Sequence, residues 1–341
     1  MRSLLTLLLA VPTLLAWPVP GAAQNVGEVF RKVAPSVVVI RAKGRDVTAA
    51  GEVRFSETGS GVLISPDGKV MTAAHVVHTM DTISVEFLGG ETVGAKVIAS
   101  EAAADLSLLQ LDRVPPGAQV AKLADSDTVQ IGDQVIVVGA PYGLSYSLSA
   151  GWISARWAPN TVYKTFPLAE FFQTDAVINT GNSGGPMFGV NGEVYGIVSH
   201  NISKGGGSEG LGFVVAMNTA RKLLLEKRSF WGGVEGQLVS EKLADLLNLP
   251  SGALGFLIKI VAKGSPAEDI GLRGGTTSAT IGGEQVVLGG DIILAVEGIQ
   301  AGSAANMAAI RDLLGSKAPG TPFKATVLRS GRTIELTGRV P

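Results

Sequence analysis

Residues 179–186 read NTGNSGGP, and the fold turns on how this stretch is read. Ser183 sits among Gly181, Gly184 and Gly185, with Asn182 before it and Pro186 after the glycines. Neither a helix nor an ordinary strand suits that composition. Glycine frees the backbone for conformations that other residues avoid, so it marks sharp turns and close approaches. A serine in such a turn is either incidental or presented as a nucleophile. The stretch also matches G-x-S-x-G, the nucleophile elbow of α/β-hydrolases, which needs a helix directly after it. Here FGVNGEVYGIVSH, 188–200, reads as a β hairpin, and the histidine beyond Ser183 is His200, on a strand-like stretch. Context argues against an α/β-hydrolase.

Upstream partners give the serine a different meaning. The chain holds three histidines, His75, His78 and His200. His75 lies in MTAAHVV, after an apolar strand, and Asp105 opens DLSLLQL. The order is therefore His, Asp, Ser, that of chymotrypsin-type triads. Each type has a task. Serine is a poor nucleophile until a neutral imidazole takes its proton. The aspartate holds the imidazole's tautomer and stabilises its cation. The amides of Gly181 and Ser183 can form an oxyanion hole, which calls for a glycine-permissive turn. Other features have plainer readings. His75 and His78 stand at i and i+3 without a third ligand, so no metal is expected; His78 reads as a surface residue. GGGSEG, 205–210, fits G-x-G-x-x-G, but LGFVV follows as a strand, so no nucleotide cofactor is expected.

Composition sets the frame. The chain has 341 residues, enough for two domains. Hydrophobic residues are 46% and charged ones 17%, which places it with core-forming proteins, and 45 glycines suggest many turns. A net charge of -1 offers no global attraction to nucleic acid or anionic lipid, and without cysteine there is no disulfide or thiolate. Residues 1–23 combine a basic start, a short apolar run and small residues at Gly21 and Ala23, the parts of a secretory signal peptide. The mature chain is expected to start near Gln24, with an uncleaved anchor as the alternative. No apolar run reaches the ~20 residues of a bilayer span. Short strands broken by Gly, Asp and Pro run to about Val215, the pattern of a sandwich or barrel. NTARKLLLEKR then reads as a closing helix capped by Asn218, followed by a junction at SFWGG, 229–233. The tail reads as a small α+β unit. It has a helix at SEKLADLLNLP, a strand at ALGFLIKIV, a capping box at Ser265–Glu268, a helix from Ser303 to Gly315 and a final hairpin. Residues 276–290 suggest a further hairpin without an evident task.

TAAHVV, DLSLL and GNSGGP together resemble a chymotrypsin-fold serine protease. QTDAVINTGNSGGP and GLGFVV resemble the HtrA/Deg subfamily, and ALGFLIKIVAKGSPAEDIGL with GGDIILAVEG resembles a PDZ domain. The resemblance implies a mainly β chain: a double β-barrel protease domain at 24–228, then an α+β PDZ domain at 233–341. It implies an exported, periplasmic, ATP-independent serine endopeptidase acting on unfolded proteins, assembled as a homotrimer or higher. Asn182 replaces the aspartate that receives a new N-terminus in digestive relatives, so activation by trimming is not expected. Ser107 stands where many members have alanine. By the same resemblance Val177 and Ile178 lie near the S1 floor, Leu211 and Phe213 on the opposite wall, and Ser199 on the strand that pairs with substrate. An acid-free S1 favours apolar P1 residues, since Lys or Arg would be buried unpaired. Leu254-Gly255-Phe256-Leu257 resembles the PDZ carboxylate loop, where a C-terminal peptide adds as a strand. The alternative functions are a peptide-binding, chaperone-like protein with a latent protease and, less suited to this fold, a small-ester hydrolase.

Overall fold

The structure, a computed structural model, describes residues 25–144, 146–227 and 229–341. The signal peptide expected at 1–23 lies outside them. Helix α1 (Val26–Val33) starts on the Asn25 side chain, which accepts from Gly27 N, and buries Val29 and Val33. Six strands follow: β1 (Val37–Thr48), β2 (Gly51–Leu63), β3 (Lys69–Thr72), β4 (Thr82–Phe87), β5 (Thr92–Glu101) and β6 (Leu106–Leu111). They close into a barrel in the order β1-β2-β3-β6-β5-β4. The short helix α2 (Ala74–Val77) follows β3 directly. Alternate residues of β1 divide between two cores, because one face of a strand points opposite to the next. Val38 and Ile40 fill the first barrel with Leu63, Val85 and Leu109. Val37 faces out and joins Val62 and Leu106 against Ile136, Phe171 and Val215 of the second barrel. That second cluster is why Val37 is buried alongside Val38 and Ile40 rather than facing solvent.

The second barrel comprises β8 (Gln134–Gly139), β9 (Ser147–Trp157), β10 (Phe171–Thr174), β11 (Pro186–Gly189), β12 (Glu193–Asn201) and β13 (Gly212–Ala216), closed by pairing of β11 with β12. The short β7 (Lys122–Leu123) adds parallel to β12. No helix follows Ser183; β11 does, as the hairpin reading expects. Helix α3 spans Met217–Arg221 and widens into a π turn at Lys222–Glu226. Asn218 is not its cap. It lies inside the helix, where its side chain accepts from Ser126 N and Arg221 Nη1 and donates to Asp125, tying the helix to the second barrel.

The C-terminal unit is an antiparallel sheet ordered β14-β15-β18-β20-β21: β14 (Val234–Leu238), β15 (Phe256–Val261), β18 (Ile292–Val296), β20 (Pro322–Arg329) and β21 (Arg332–Arg339), with the short β19 (Ile299–Gln300) paired to β18. Its helices are α4 (Glu241–Leu246), α5 (Pro266–Asp269) and α6 (Ala304–Ser316), capped by Ser240, Ser265 and Ser303. Glu268 reaches back to Gly264 N rather than to Ser265 N. Residues 276–290 do form a hairpin, β16 (Thr277–Ile281) with β17 (Glu284–Leu288), turning on Gly282-Gly283. Val287 of that hairpin packs with Ile260 and with Val47 of β1, so it touches the first barrel. The junction docks there too. Trp231 Nε1 donates to His78 O at 3.0 Å and Ser229 Oγ to Ser100 O at 3.2 Å. His78 is thus not a free surface residue; its Nδ1 also pairs with Ser100 Oγ at 2.7 Å. Among the described residues, no helix is long and apolar enough to cross a membrane.

Candidate active site

The stretch 179–186 crosses the seam between the barrels, and both barrels grip it. Ser60 N donates to Ser183 O at 2.8 Å, and Ser60 Oγ donates to Gly181 O at 2.7 Å. Val198 O accepts from Gly184 N at 2.7 Å, and Val198 N donates to Gly185 O at 2.8 Å. Two of the glycines are demanded by geometry. At Gly181 φ is +101°, and a Cβ would stand 2.1 Å from Ala140 O. At Gly184 φ is +81°, and a Cβ would stand 2.1 Å from Thr72 Oγ1 and 2.4 Å from Ser60 O. No other side chain fits either position without backbone movement.

Peptide planarity then orients the turn. A trans peptide points its C=O and N–H in opposite directions. Tyr142 N donates to Thr180 O at 2.7 Å, so the Gly181 N–H points away from Tyr142. Neither Gly181 N–H nor Ser183 N–H has a hydrogen-bond partner among the described residues. Tyr142 itself sits at φ +52°, a left-handed conformation unusual for a tyrosine. Ser60 Oγ also accepts from Ala140 N at 3.0 Å, so one hydroxyl braces both strands of this contact.

His75 comes from α2 and Asp105 from the residue after a 3-10 turn at Ala102–Ala104, where its φ is +55°. Asp105 is 2% exposed. Its Oδ1 accepts from His75 N at 3.1 Å, and both carboxylate oxygens lie 3.0 Å from His75 Nδ1. Ser199 Oγ donates a short hydrogen bond to Asp105 Oδ2. Burial alone would raise the Asp105 pKa, but the His75 and Ser199 hydrogen bonds outweigh it and hold the carboxyl below its usual range. Burial likewise pulls His75 down, and the hydrogen bond and charge of Asp105 reverse that, leaving its pKa above the ordinary histidine value. Ser183 Oγ donates to Ser199 O at 3.0 Å. It makes no hydrogen bond to His75, whose Nε2 has no partner among the described residues.

The structure thus brings His75, Asp105, Ser183, Gly181 and Ser199 together. Val177 is 49% exposed and Leu211 36%. Ile178 and Phe213 depart from expectation. Ile178 is 1% exposed and fills the second barrel with Val129, Val135 and Phe172, so its side chain points into the core rather than into a pocket. Phe213 is 2% exposed and stacks on His200, ring centroids 5.4 Å apart. Position along the chain does not say which way a side chain turns: Ile178 lies beyond the end of β10 and Phe213 on β13, and both turn into the core. The expectation for Leu254–Leu257 is also corrected. Phe256 and Leu257 pair with β14 on one side and β18 on the other, so no edge is open there for an added strand. The open edge next to this strand belongs to β14. Ser60, Tyr142 and His200 were not anticipated as neighbours of the site. The sole hint was a serine between two glycines, Gly59 and Gly61.

Comparison with known proteins gives a consistent picture. The trypsin-like peptidase domain family matches residues 59–197. A probable periplasmic serine endoprotease, DegP-like, from Pseudomonas savastanoi pv. phaseolicola is 35% identical over 262 residues, covering 74% of this chain and 53% of that protein. The periplasmic pH-dependent serine endoprotease DegQ of Escherichia coli is 31% identical over 343 residues, 94% of this chain and 70% of its own length. Among solved structures, the HtrA-type protease AlgW with a decapeptide matches with a TM-score of 0.54 at 26% identity, covering 92% of this chain and 98% of that one. The chain spans about half the length of the DegP-like relatives it matches.

Proposed function

The chain belongs to the HtrA family of DegP- and DegQ-like serine endoproteases, and on that premise we propose that it is an endopeptidase using Ser183, His75 and Asp105 as its triad. The observation that carries this reading is the paired approach of both Asp105 oxygens to His75 Nδ1, beside a glycine turn with two unpartnered amides. Asp105 keeps the His75 proton on Nδ1, which leaves Nε2 as the base. Ser183 Oγ, now on the Ser199 carbonyl, turns about its Cα–Cβ bond to reach Nε2 and attacks the scissile carbonyl as His75 takes its proton. The Gly181 and Ser183 amides stabilise the oxyanion, the step where such donors count most. His75 then hands its proton to the leaving amine, and water repeats the cycle on the acyl-enzyme.

The substrates are unfolded or misfolded exported proteins. An extended chain pairs with the backbone near Ser199, a carbonyl that Ser183 otherwise occupies, and folded proteins offer no such free strand. Val177 and Leu211, both at the surface, accept apolar P1 side chains. The C-terminal unit is a PDZ domain beginning near residue 233, taking C-terminal or extended peptides along the free edge of β14. Val234 of that strand and Met307 of α6 rest on one cluster, which frames the groove. The assembly is a homotrimer or higher, the location periplasmic, and ATP and metal have no part in the chemistry proposed. One observation favours a second reading, a latent protease that mainly binds peptides: Ser183 is hydrogen-bonded to Ser199 O and not to His75. Digestion of an unfolded protein by wild type and Ser183→Ala, with cleavage sites mapped and a fluorophosphonate as label, separates the two. Labelling of Ser183 and loss of about six decades of turnover in the variant are expected. An active Ser183→Ala refutes the triad. A folded wild type that neither labels nor cleaves, even with added C-terminal peptides, supports the second reading.

A further inference from the structure

His200 stands directly behind Asp105, and the chemistry proposed above makes no use of it. It follows Ser199 on β12, with Nδ1 2.9 Å from Ser199 Oγ. Its ring is boxed by aromatics: stacked on Phe213, edge-on to Tyr163 at 4.2 Å and to Phe171 at 5.6 Å, with Phe166 at 5.5 Å. Its Nε2 is buried without a partner among the described residues. The hydrogen count around Ser199 is restrictive. A serine hydroxyl has one hydrogen, and an ionised carboxylate can only accept. That hydrogen therefore goes to Asp105. His200 Nδ1 can meet Ser199 Oγ only as a donor, which places the His200 proton on Nδ1 and the lone pair on Nε2. Without that donor, the Ser199 hydroxyl would have one fixed partner instead of two.

We propose that His200 is a positioning residue of the triad: its Nδ1–H fixes the Ser199 hydroxyl so that the hydrogen points at Asp105 Oδ2, steadying the carboxylate that orients His75. A phenylalanine would fill the same box without an orphaned acceptor; what histidine adds is the N–H. The charged and titratable groups facing the ring are Asp105, His75 and Tyr163. Burial holds His200 neutral, with its pKa down to about 4, so the same tautomer serves across the working range of a histidine base.

This inference rests on the triad reading, and its test separates the two. With three histidines in the chain, 15N-histidine labelling of the full-length protein reads each tautomer directly. Near neutral pH, His200 is expected protonated at Nδ1 and bare at Nε2; the opposite tautomer overturns the inference without any variant being needed. His200→Phe keeps the stack and removes the donor. It should lower kcat roughly three- to tenfold, the worth of one net hydrogen bond, with KM unchanged. It should also shift the proton resonance between His75 and Asp105. His200→Asn, whose amide reaches the same Oγ, should restore kcat to within about twofold of wild type. In a Ser199→Ala background, His200→Phe should add nothing, since the path through Ser199 is already cut. An Asn variant as slow as the Phe variant, or a Phe effect undiminished without the Ser199 hydroxyl, overturns the inference. If Ser183→Ala is inert while these comparisons fail, only the His200 role falls; an active Ser183→Ala removes the triad itself.

Discussion

Replacing Ser60 by alanine tests whether the turn at 179–186 is held ready from the opposite barrel. The Ser60 side chain is fully buried. Its hydroxyl donates to Gly181 O and accepts from Ala140 N, so alanine strands one buried carbonyl and one buried amide. A buried group left unsatisfied costs about 1–3 kcal/mol, and the space of one oxygen is too tight for easy repair by water. Two such groups, partly relieved by relaxation, put the loss at roughly 2–4 kcal/mol. For a double barrel of roughly 200 residues unfolding as one unit, that lowers Tm by roughly 4–16 °C. The catalytic effect is separate. Ala140 leads into Pro141-Tyr142, and the Tyr142 amide holds Thr180 O, so loosening Ala140 frees the peptide that orients the Gly181 N–H. Misplacing one oxyanion donor costs about 10²–10³ in kcat. A partly loosened one should cost roughly tenfold to a hundredfold, with KM little changed. Scanning calorimetry and peptide hydrolysis read the two effects. A Ser60→Ala protein with wild-type kcat and a Tm within about 1 °C of wild type would show that the hydroxyl bridges nothing of consequence.

Activity should rise with pH as His75 loses its proton, and the midpoint of kcat/KM should lie above the ordinary histidine value because Asp105 holds the cation. Asp105→Asn should cost about 10⁴ in kcat and move that midpoint down; an unmoved midpoint separates His75 from the profile. His200 should govern acid stability. The unfolded chain takes up its proton near 6.5 and the folded one near 4, so stability is complete above the higher value and is lost as pH falls between them, by about 3 kcal/mol. Urea titrations should therefore show wild type losing stability relative to His200→Phe as pH falls toward 4, and curves that stay parallel exclude it. A chain ending at Lys227 should still fold, since both barrels close without the tail, yet it uncovers His78 by losing Trp231. It should keep peptidase activity and lose any response to C-terminal peptides; an unfolded product would mean that the barrels depend on the docked junction.

What could be read from the sequence follows from where the constraints lie. Gly181 and Gly184 are legible because the backbone conformations they adopt exclude every other residue, so the composition itself reports the turn. His75 and Asp105 are legible because their chemistry is rare in apolar strands and their order has few explanations. The closing helix forms where NTARKLLLEKR places it, but Asn218 is not its cap, because a residue suited to capping can equally use its amide sideways; here Asp125 and Ser126 of the second barrel compete for it and win. Ile178, Phe213 and Leu254–Leu257 failed for a different reason. Each was placed by position along the chain, whereas pocket lining and edge pairing depend on which face of a strand is turned inward and which neighbours it has already found. Leu257 pairs with Gln237 across the sheet and with Ile292 on the other side, contacts from stretches 20 and 35 residues away in either direction.

His200 shows where such reading stops. Alone it is an ordinary strand histidine. Its meaning depends on Ser199 giving its only hydrogen to Asp105, a residue 94 positions upstream in the other barrel. It also depends on Tyr163 and Phe166 closing over the ring from the loop between β9 and β10. The first of these relations is a matter of hydrogen count and arises only when the barrels meet; the second is a matter of desolvation within the second barrel. The same seam carries Ser60 Oγ to Gly181 O and Ser60 N to Ser183 O. Contacts across the seam therefore link the nucleophile, the oxyanion turn and the orienting acid to one shared surface between the barrels. A substitution that loosens the packing between the barrels, such as Val37→Ala in the cluster between them, should then lower kcat without touching any of these residues. Removing two methyl groups there costs roughly 1–3 kcal/mol. If kcat falls while each barrel keeps its native circular dichroism, the seam sets the geometry of catalysis; an unchanged kcat at that loss of stability would mean that each side of the site is held by its own barrel alone.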